Sequence, residues 1–158
     1  MEPFVSRSPI PHMTMASLIV DGLFVGGVAD AGQHAEEYDA VVNCTPDVPF
    51  FDTAASCERL RIPVCDTLAE NPTLTPELLR EAIAFVSAHL QAGRRVLVHC
   101  IAGQQRSPAV VAAYLMVTRS LDVEAAIEFV RSRRTVAFLD ERVHFRPSLD
   151  AFALANVD

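Results

Sequence analysis

The chain has 158 residues, 51% of them apolar and 21% charged, with six Gly and ten Pro. That mix is globular, the length suits one domain, and a chain of this size buries roughly two thirds of its unfolded surface without a metal or disulfide staple. Thirteen cations, all Arg, stand against twenty carboxylates for a net charge of −7, which excludes a general affinity for nucleic acid or anionic membrane. Arg still suits a local pocket for a planar oxyanion.

Residues 1–15 carry three Pro and no apolar core, so they are expected to form a loose N-terminal arm and not a signal peptide. A single folded domain is expected over 16–158. Residues 17–20 and 23–25 flank Asp21-Gly22, a strong two-residue turn signal, and predict an antiparallel hairpin. A short helix is expected over 29–38, a buried strand over 40–44, and another over 60–64 with Pro63 near its end. Thr75, Pro76 and Glu77 mark a helix start. Leu79, Ile83, Val86 and Leu90 keep its period, and Gly93 stops it. Residues 95–99 read as a strand that feeds a short loop and a helix entered through Ser107-Pro108. The most apolar stretch, 109–118, has half the length of a membrane span and reads as a buried helix. A further helix starts at Asp122, and a last one covers 147–156. Strands alternating with helices predict a single α/β domain, with a mostly parallel five-stranded sheet flanked by helices. In such sheets ligands bind at the carboxyl ends of strands, here the strand ending at His99.

The loop itself reads His99-Cys100-Ile101-Ala102-Gly103-Gln104-Gln105-Arg106-Ser107. A segment this short between a strand and a helix has to curl. Its backbone N–H groups and those of the first helical turn then face one concavity, which binds an oxyanion with help from the helix dipole. Gly103 permits the curl, and Arg106 closes it with bidentate hydrogen bonds. Cys100 lies beneath, where amides and guanidinium favour a thiolate, and Ser107 can donate to the sulfur. The pattern describes a nucleophile under a phosphoryl group. A bare Cys-x5-Arg is weak, but His before, Gly three after and Ser following make chance occurrence on the order of 10⁻⁵.

These residues match the His-Cys-x-x-Gly-x-x-Arg-Ser/Thr signature of cysteine-dependent protein phosphatases. From about Ser17 to Phe152 the chain resembles their small dual-specificity branch. The opening hairpin, the strand ending Val42-Asn43-Cys44, the segment Ile62-Pro63-Val64-Cys65-Asp66 with Asn71, and the helix around Ala113-Tyr114-Leu115-Met116 carry the likeness. Trp is absent, and with it the Trp-Pro-Asp loop of the larger tyrosine-specific enzymes.

The resemblance implies hydrolysis of phosphotyrosine and/or phosphoserine/phosphothreonine through a cysteinyl-phosphate, with no metal or other cofactor. Cys100 is then the nucleophile and Arg106, with loop residues 101–105, the phosphate cradle. Asp66, 34 positions before Cys100, becomes the acid, and Ser107 eases thiolate departure. Asp47 is the other candidate acid. His99, Asn71 and Asn43 are supporting residues. Gln104 and Gln105 are bulkier than the small residues many members carry, and their side chains are expected to point outward. Arg131, Arg133 and Arg134 either bind a second phosphate or complement a helix end.

A cysteine like Cys44 in the tensin-like lipid phosphatases forms a reversible disulfide with the nucleophile. Cys44 is therefore a candidate redox partner for Cys100, and Cys65 is the next. The four cysteines lack zinc-ligand spacing, so free thiols and a cytoplasmic location are expected. A phosphoprotein or small phosphate ester is the expected partner, with neither nucleic acid nor membrane. A rhodanese-like sulfurtransferase and a non-catalytic phosphoprotein-binding module are the alternatives.

Overall fold

The computed structural model describes residues 15–33, 35–51, 56–65 and 74–156. The expected arm (1–15) falls almost wholly outside them, as do Asp66 and Asn71. Five strands form one sheet: β1 (Ser17–Val20), β2 (Leu23–Gly26), β3 (Ala40–Asn43), β4 (Glu58–Arg61) and β5 (Val96–His99). Their order is β1-β2-β5-β3-β4, and every pairing except that of β1 with β2 is parallel. Five helices accompany them: α1 (Val28–Gln33), α2 (Pro76–Gln91), α3 (Arg106–Thr118), α4 (Val123–Arg133) and α5 (Arg146–Ala155). None of the described helices is long and apolar enough to cross a membrane.

Two-residue alternation decides which side chain joins which layer. In β5, Val96 and Val98 enter the main core with Leu23, Val25, Ala40 and Val42, whereas Leu97 turns to the opposite face with Val41, Ala31 and Tyr38. The main core is filled by α2, by the almost wholly buried α3, and by Phe138, Leu149 and Phe152. Thr75 caps α2 as its spelling predicts, its side chain accepting from Leu78 N–H at 3.2 Å. Such a cap is worth about 1 kcal/mol.

Three boundaries differ from expectation. The helix expected over 29–38 is α1 followed by a separate 3-10 turn, Ala35–Glu37. The strand expected over 40–44 ends at Asn43, and Cys44 begins a turn, although its N–H still donates to His99 O at 2.8 Å. The strand expected over 60–64 is β4, two residues earlier. Its ladder partners are Ala40 to Asn43, and the fully buried Ile62 and Val64 lie beyond it. Ile62 N–H still donates to Asn43 O at 2.9 Å, but Pro63 has no N–H to extend the ladder further.

Register brings three strand ends to one level. Gly26 of β2 and Asn43 of β3 both pair with His99 of β5. The loops leaving these residues form the crest of the sheet.

Candidate active site

The segment following His99 curls as its sequence requires and delivers the chain into α3. Cys100 is 3% exposed, yet its sulfur has two polar neighbours: Gly103 N–H, which donates at 3.3 Å, and Ser107 Oγ at 3.2 Å. Ser107 Oγ also lies 3.2 Å from Gly26 O. One hydroxyl has one proton. With a neutral thiol, Cys100 can donate to Ser107 while Ser107 donates to Gly26 O; with a thiolate, Ser107 must turn its proton to the sulfur.

Gly103 is required twice over. Its φ is +68°, and a Cβ there would come within 2.4 Å of Arg134 Nη2 and 2.8 Å of Gly26 C and O. The adjoining backbone is equally tight, since a Cβ on Gly27 would meet Ile101 O at 2.5 Å. Helix α3 starts at Arg106, one residue before the expected Ser107, and has no side-chain cap. Pro108 sits in its first turn, where a missing N–H is no loss. A helix start without a side-chain cap is the kind of terminus that can take an oxyanion.

Arg106 is buried, with Nη1 donating to Val64 O at 2.9 Å and Nε lacking a partner among the described residues. A buried guanidinium N–H without a partner costs free energy, and an oxyanion in the loop is the kind of acceptor it fits. The Val64 contact also brings the chain over the loop two residues before Asp66.

His99 is buried and its Nδ1–H donates to Cys100 O at 3.1 Å, which fixes the ring under the loop. Burial pushes its pKa below the ordinary 6.5 despite that bond, and the Arg61 and Arg106 charges add to the effect. Both features are what an architectural residue would show. Burial likewise holds the Cys44 thiol well above its usual value, with the Cys100 charge adding to the shift.

Asn43 is fully buried but faces its own turn. It accepts from Thr45 N–H at 3.1 Å and Thr45 Oγ1 at 2.7 Å, and donates to Val48 O at 2.9 Å. Asp47 stands exposed on that turn.

Gln105 departs from the outward orientation expected for it. Its buried side chain donates to Arg142 O at 2.7 Å and accepts from His144 N–H at 3.0 Å, tying the loop to the segment before α5. The three-arginine cluster does not converge on one ligand. Arg131 pairs with Glu128 at 3.1 Å, Arg133 lies 5.0 Å over the Phe129 ring, and Arg134 turns into the protein. A groove of about 730 Å³ between α3, α4 and α5, lined by Met116, Leu121, Arg146 and Phe152, contains none of the motif residues. The motif residues sit instead where the backbone curls after β5.

A catalytic-domain model of the dual specificity phosphatases matches residues 23–152. Among curated proteins, the chain is 34% identical to mouse dual specificity protein phosphatase 12 over 139 residues, covering 86% of this chain and 41% of that protein. It is 30% identical to Arabidopsis thaliana dual specificity protein phosphatase 1B over 122 residues, covering 77% of this chain and 73% of the relative. Human DUSP28 superposes with a TM-score of 0.76 at 30% identity, covering 94% of this chain and 97% of that one. A mouse putative dual specificity phosphatase complexed with zinc tungstate gives 0.79 at 26% identity, covering 96% and 93%. The chain belongs to the dual specificity phosphatase family and carries its catalytic domain. It spans well under half the length of several of its curated relatives, including mouse phosphatase 12. Neither the sulfurtransferase nor the binding-module alternative gains support from these matches.

Proposed function

We propose that this domain hydrolyses phosphate monoesters on phosphotyrosine and/or phosphoserine/phosphothreonine of proteins, through a phosphoryl group carried on Cys100. The observation that carries the reading is a cysteine sulfur touched by Gly103 N–H and Ser107 Oγ, in a loop that leads into a helix start with no side-chain cap and a buried Arg106 whose Nε has no partner among the described residues. The tungstate named with a related mouse structure is, like phosphate, an oxyanion.

In the first step the Cys100 sulfur attacks phosphorus and the ester P–O bond breaks. Asp66 gives its proton to the departing oxygen. Arg106 and the loop amides take up the charge that develops on the equatorial oxygens. In the second step water attacks the cysteinyl-phosphate, Asp66 accepts the water proton, and the S–P bond breaks to release phosphate. Ser107 donates to the sulfur as it leaves.

The test is hydrolysis of an aryl phosphate in the presence of a chelator. Wild type turns over and is inhibited by vanadate, and Cys100→Ser falls to background while still binding the oxyanion. Asp66→Asn slows the reaction most for poor leaving groups. If Asp47→Asn does so instead, Asp66 is not the acid. An active Cys100→Ser variant would sink the covalent mechanism altogether.

A further inference from the structure

We infer that Arg134, at the end of α4, is the positioning residue that aims the backbone amides of the phosphate loop. The inference rests on the phosphatase reading above. It begins with the loop carbonyls, which carry no signal in the sequence. Four in a row are held from outside the loop. Ile101 O accepts from Val28 N–H at 2.9 Å, and Gln104 O from Phe138 N–H at 2.7 Å. The two between them belong to Arg134: Nε donates to Gly103 O at 2.8 Å and Nη2 to Ala102 O at 3.4 Å.

In a planar trans peptide the C=O and the following N–H point in opposite directions. Holding the carbonyls of 101–104 outward therefore turns the N–H groups of 102–105 inward, over Cys100. Gly103 N–H is already there, 3.3 Å from the sulfur. Arg134 thus sets the direction of the amides of Gly103 and Gln104, the middle of the array.

The guanidinium is built in. Arg134 is 3% exposed, and its Nη1 donates to Met15 O at 2.8 Å and Ser17 Oγ at 3.1 Å. Burial opposes its charge, while Asp30 and Cys100 favour it. Its donors thus go to the loop and to the start of β1, which leaves it poorly placed to bind a second substrate phosphate. Gly103 rests directly on it, which is why a Cβ there finds Nη2 at 2.4 Å. A planar fork can hold two successive carbonyls at once; an ammonium is a single point charge on a flexible stem.

The experiment compares wild type with Arg134→Met, Arg134→Lys and Ser17→Ala. It reads kcat and KM on an aryl phosphate, tungstate binding by calorimetry, and rescue by millimolar methylguanidinium. Losing one oriented oxyanion donor costs about 10²-fold in rate, and Arg134 aims two. Arg134→Met is expected to lower kcat/KM by about 10²-fold, with most of the loss in kcat, and to weaken tungstate by about tenfold. Methylguanidinium should recover part of both, which a merely structural role would not allow. Arg134→Lys should remain well below wild type, and Ser17→Ala should lose about two- to threefold.

A folded Arg134→Met variant with wild-type kcat and wild-type tungstate binding overturns the inference, as does Arg134→Met that is impaired but not rescued. If Arg134→Met does not fold, Arg134→Lys decides: a loss in kcat and tungstate binding supports the inference, and wild-type values overturn it. Failure of wild type itself to turn over would strike the phosphatase reading alone, because tungstate binding still ranks the variants.

Discussion

Two loops leave neighbouring parallel strands at the same level of the sheet and are put to opposite uses. The turn after β3 closes on itself. Asn43 joins Thr45 and Val48, Thr45 Oγ1 accepts from Val48 N–H at 3.1 Å, and Arg61 donates to Thr45 O and Val48 O, each at 2.8 Å. The loop after β5 does the reverse. Its carbonyls are held outward by Val28, Arg134 and Phe138, its helix start has no side-chain cap, and its Gly103 amide donates to the buried Cys100 sulfur. One turn has its polar groups satisfied within the protein; on the proposed reading, the other keeps its donors for a ligand. The contrast points to the site more sharply than concavity does, because the groove of about 730 Å³ lies elsewhere.

Changes in the two loops should accordingly divide between catalysis and stability. Arg106→Lys removes the bidentate fork and should lower kcat/KM by about 10²–10³-fold in steady-state assays, with the fold retained by circular dichroism. Gly103→Ala forces a Cβ against Arg134 and Gly26, and should cost about 10–10²-fold in kcat/KM together with stability, read by activity and denaturant titration. Thr45→Val in the self-satisfied turn should leave kcat/KM within about twofold and lower unfolding free energy by about 1–3 kcal/mol. An activity loss there comparable to that of Arg106→Lys would erase the distinction.

His99 supplies a smaller, pH-dependent effect. Its folded-state pKa lies below the unfolded 6.5, so the unfolded chain binds more protons once pH falls through that value. Its contribution to stability is present above 6.5 and declines progressively below it, towards its folded pKa. Denaturant midpoints at pH 7.5 and 5.5 should drop on acidification, and His99→Gln should show a shallower drop.

Register adds a redox test. Asn43 pairs with His99, and Cys44 and Cys100 are the next residues, just beyond the ends of two neighbouring strands, with Cys44 N–H still donating to His99 O at 2.8 Å. If the pair is a redox couple, peroxide should convert the Cys100 thiol to a sulfenic acid with release of water, and attack by the Cys44 sulfur should then form the disulfide and release a second water. The burial that keeps Cys44 protonated makes the second step slow. Peptide mapping after mild peroxide should recover the crosslink, and its absence would leave Cys44 a buried thiol.

Much of this was legible because it is local. The hairpin turn, the Thr75-Pro76 helix start and the spelling of residues 99–107 act over a few positions, and the structure follows them. Strand β4 was harder. Its own residues, Glu58-Arg59-Leu60-Arg61, sit half-exposed at the sheet edge and lack an apolar run, while the buried Ile62 and Val64 lie beyond the strand's end. Arg134 was harder still. Its bond to Gly103 O spans 31 positions, and a carbonyl looks the same in every residue. Gln105 misled for a similar reason, since its partners are backbone groups 37 and 39 positions away.

The most direct measurement is to mix Asp66→Asn protein with an aryl phosphate, quench rapidly in acid and map the adduct by peptide mass spectrometry. The account predicts a phosphoryl group on the peptide carrying Cys100, attached through sulfur and lost in Cys100→Ser. Turnover with the phosphoryl group never appearing on Cys100, or appearing on another residue, would contradict it.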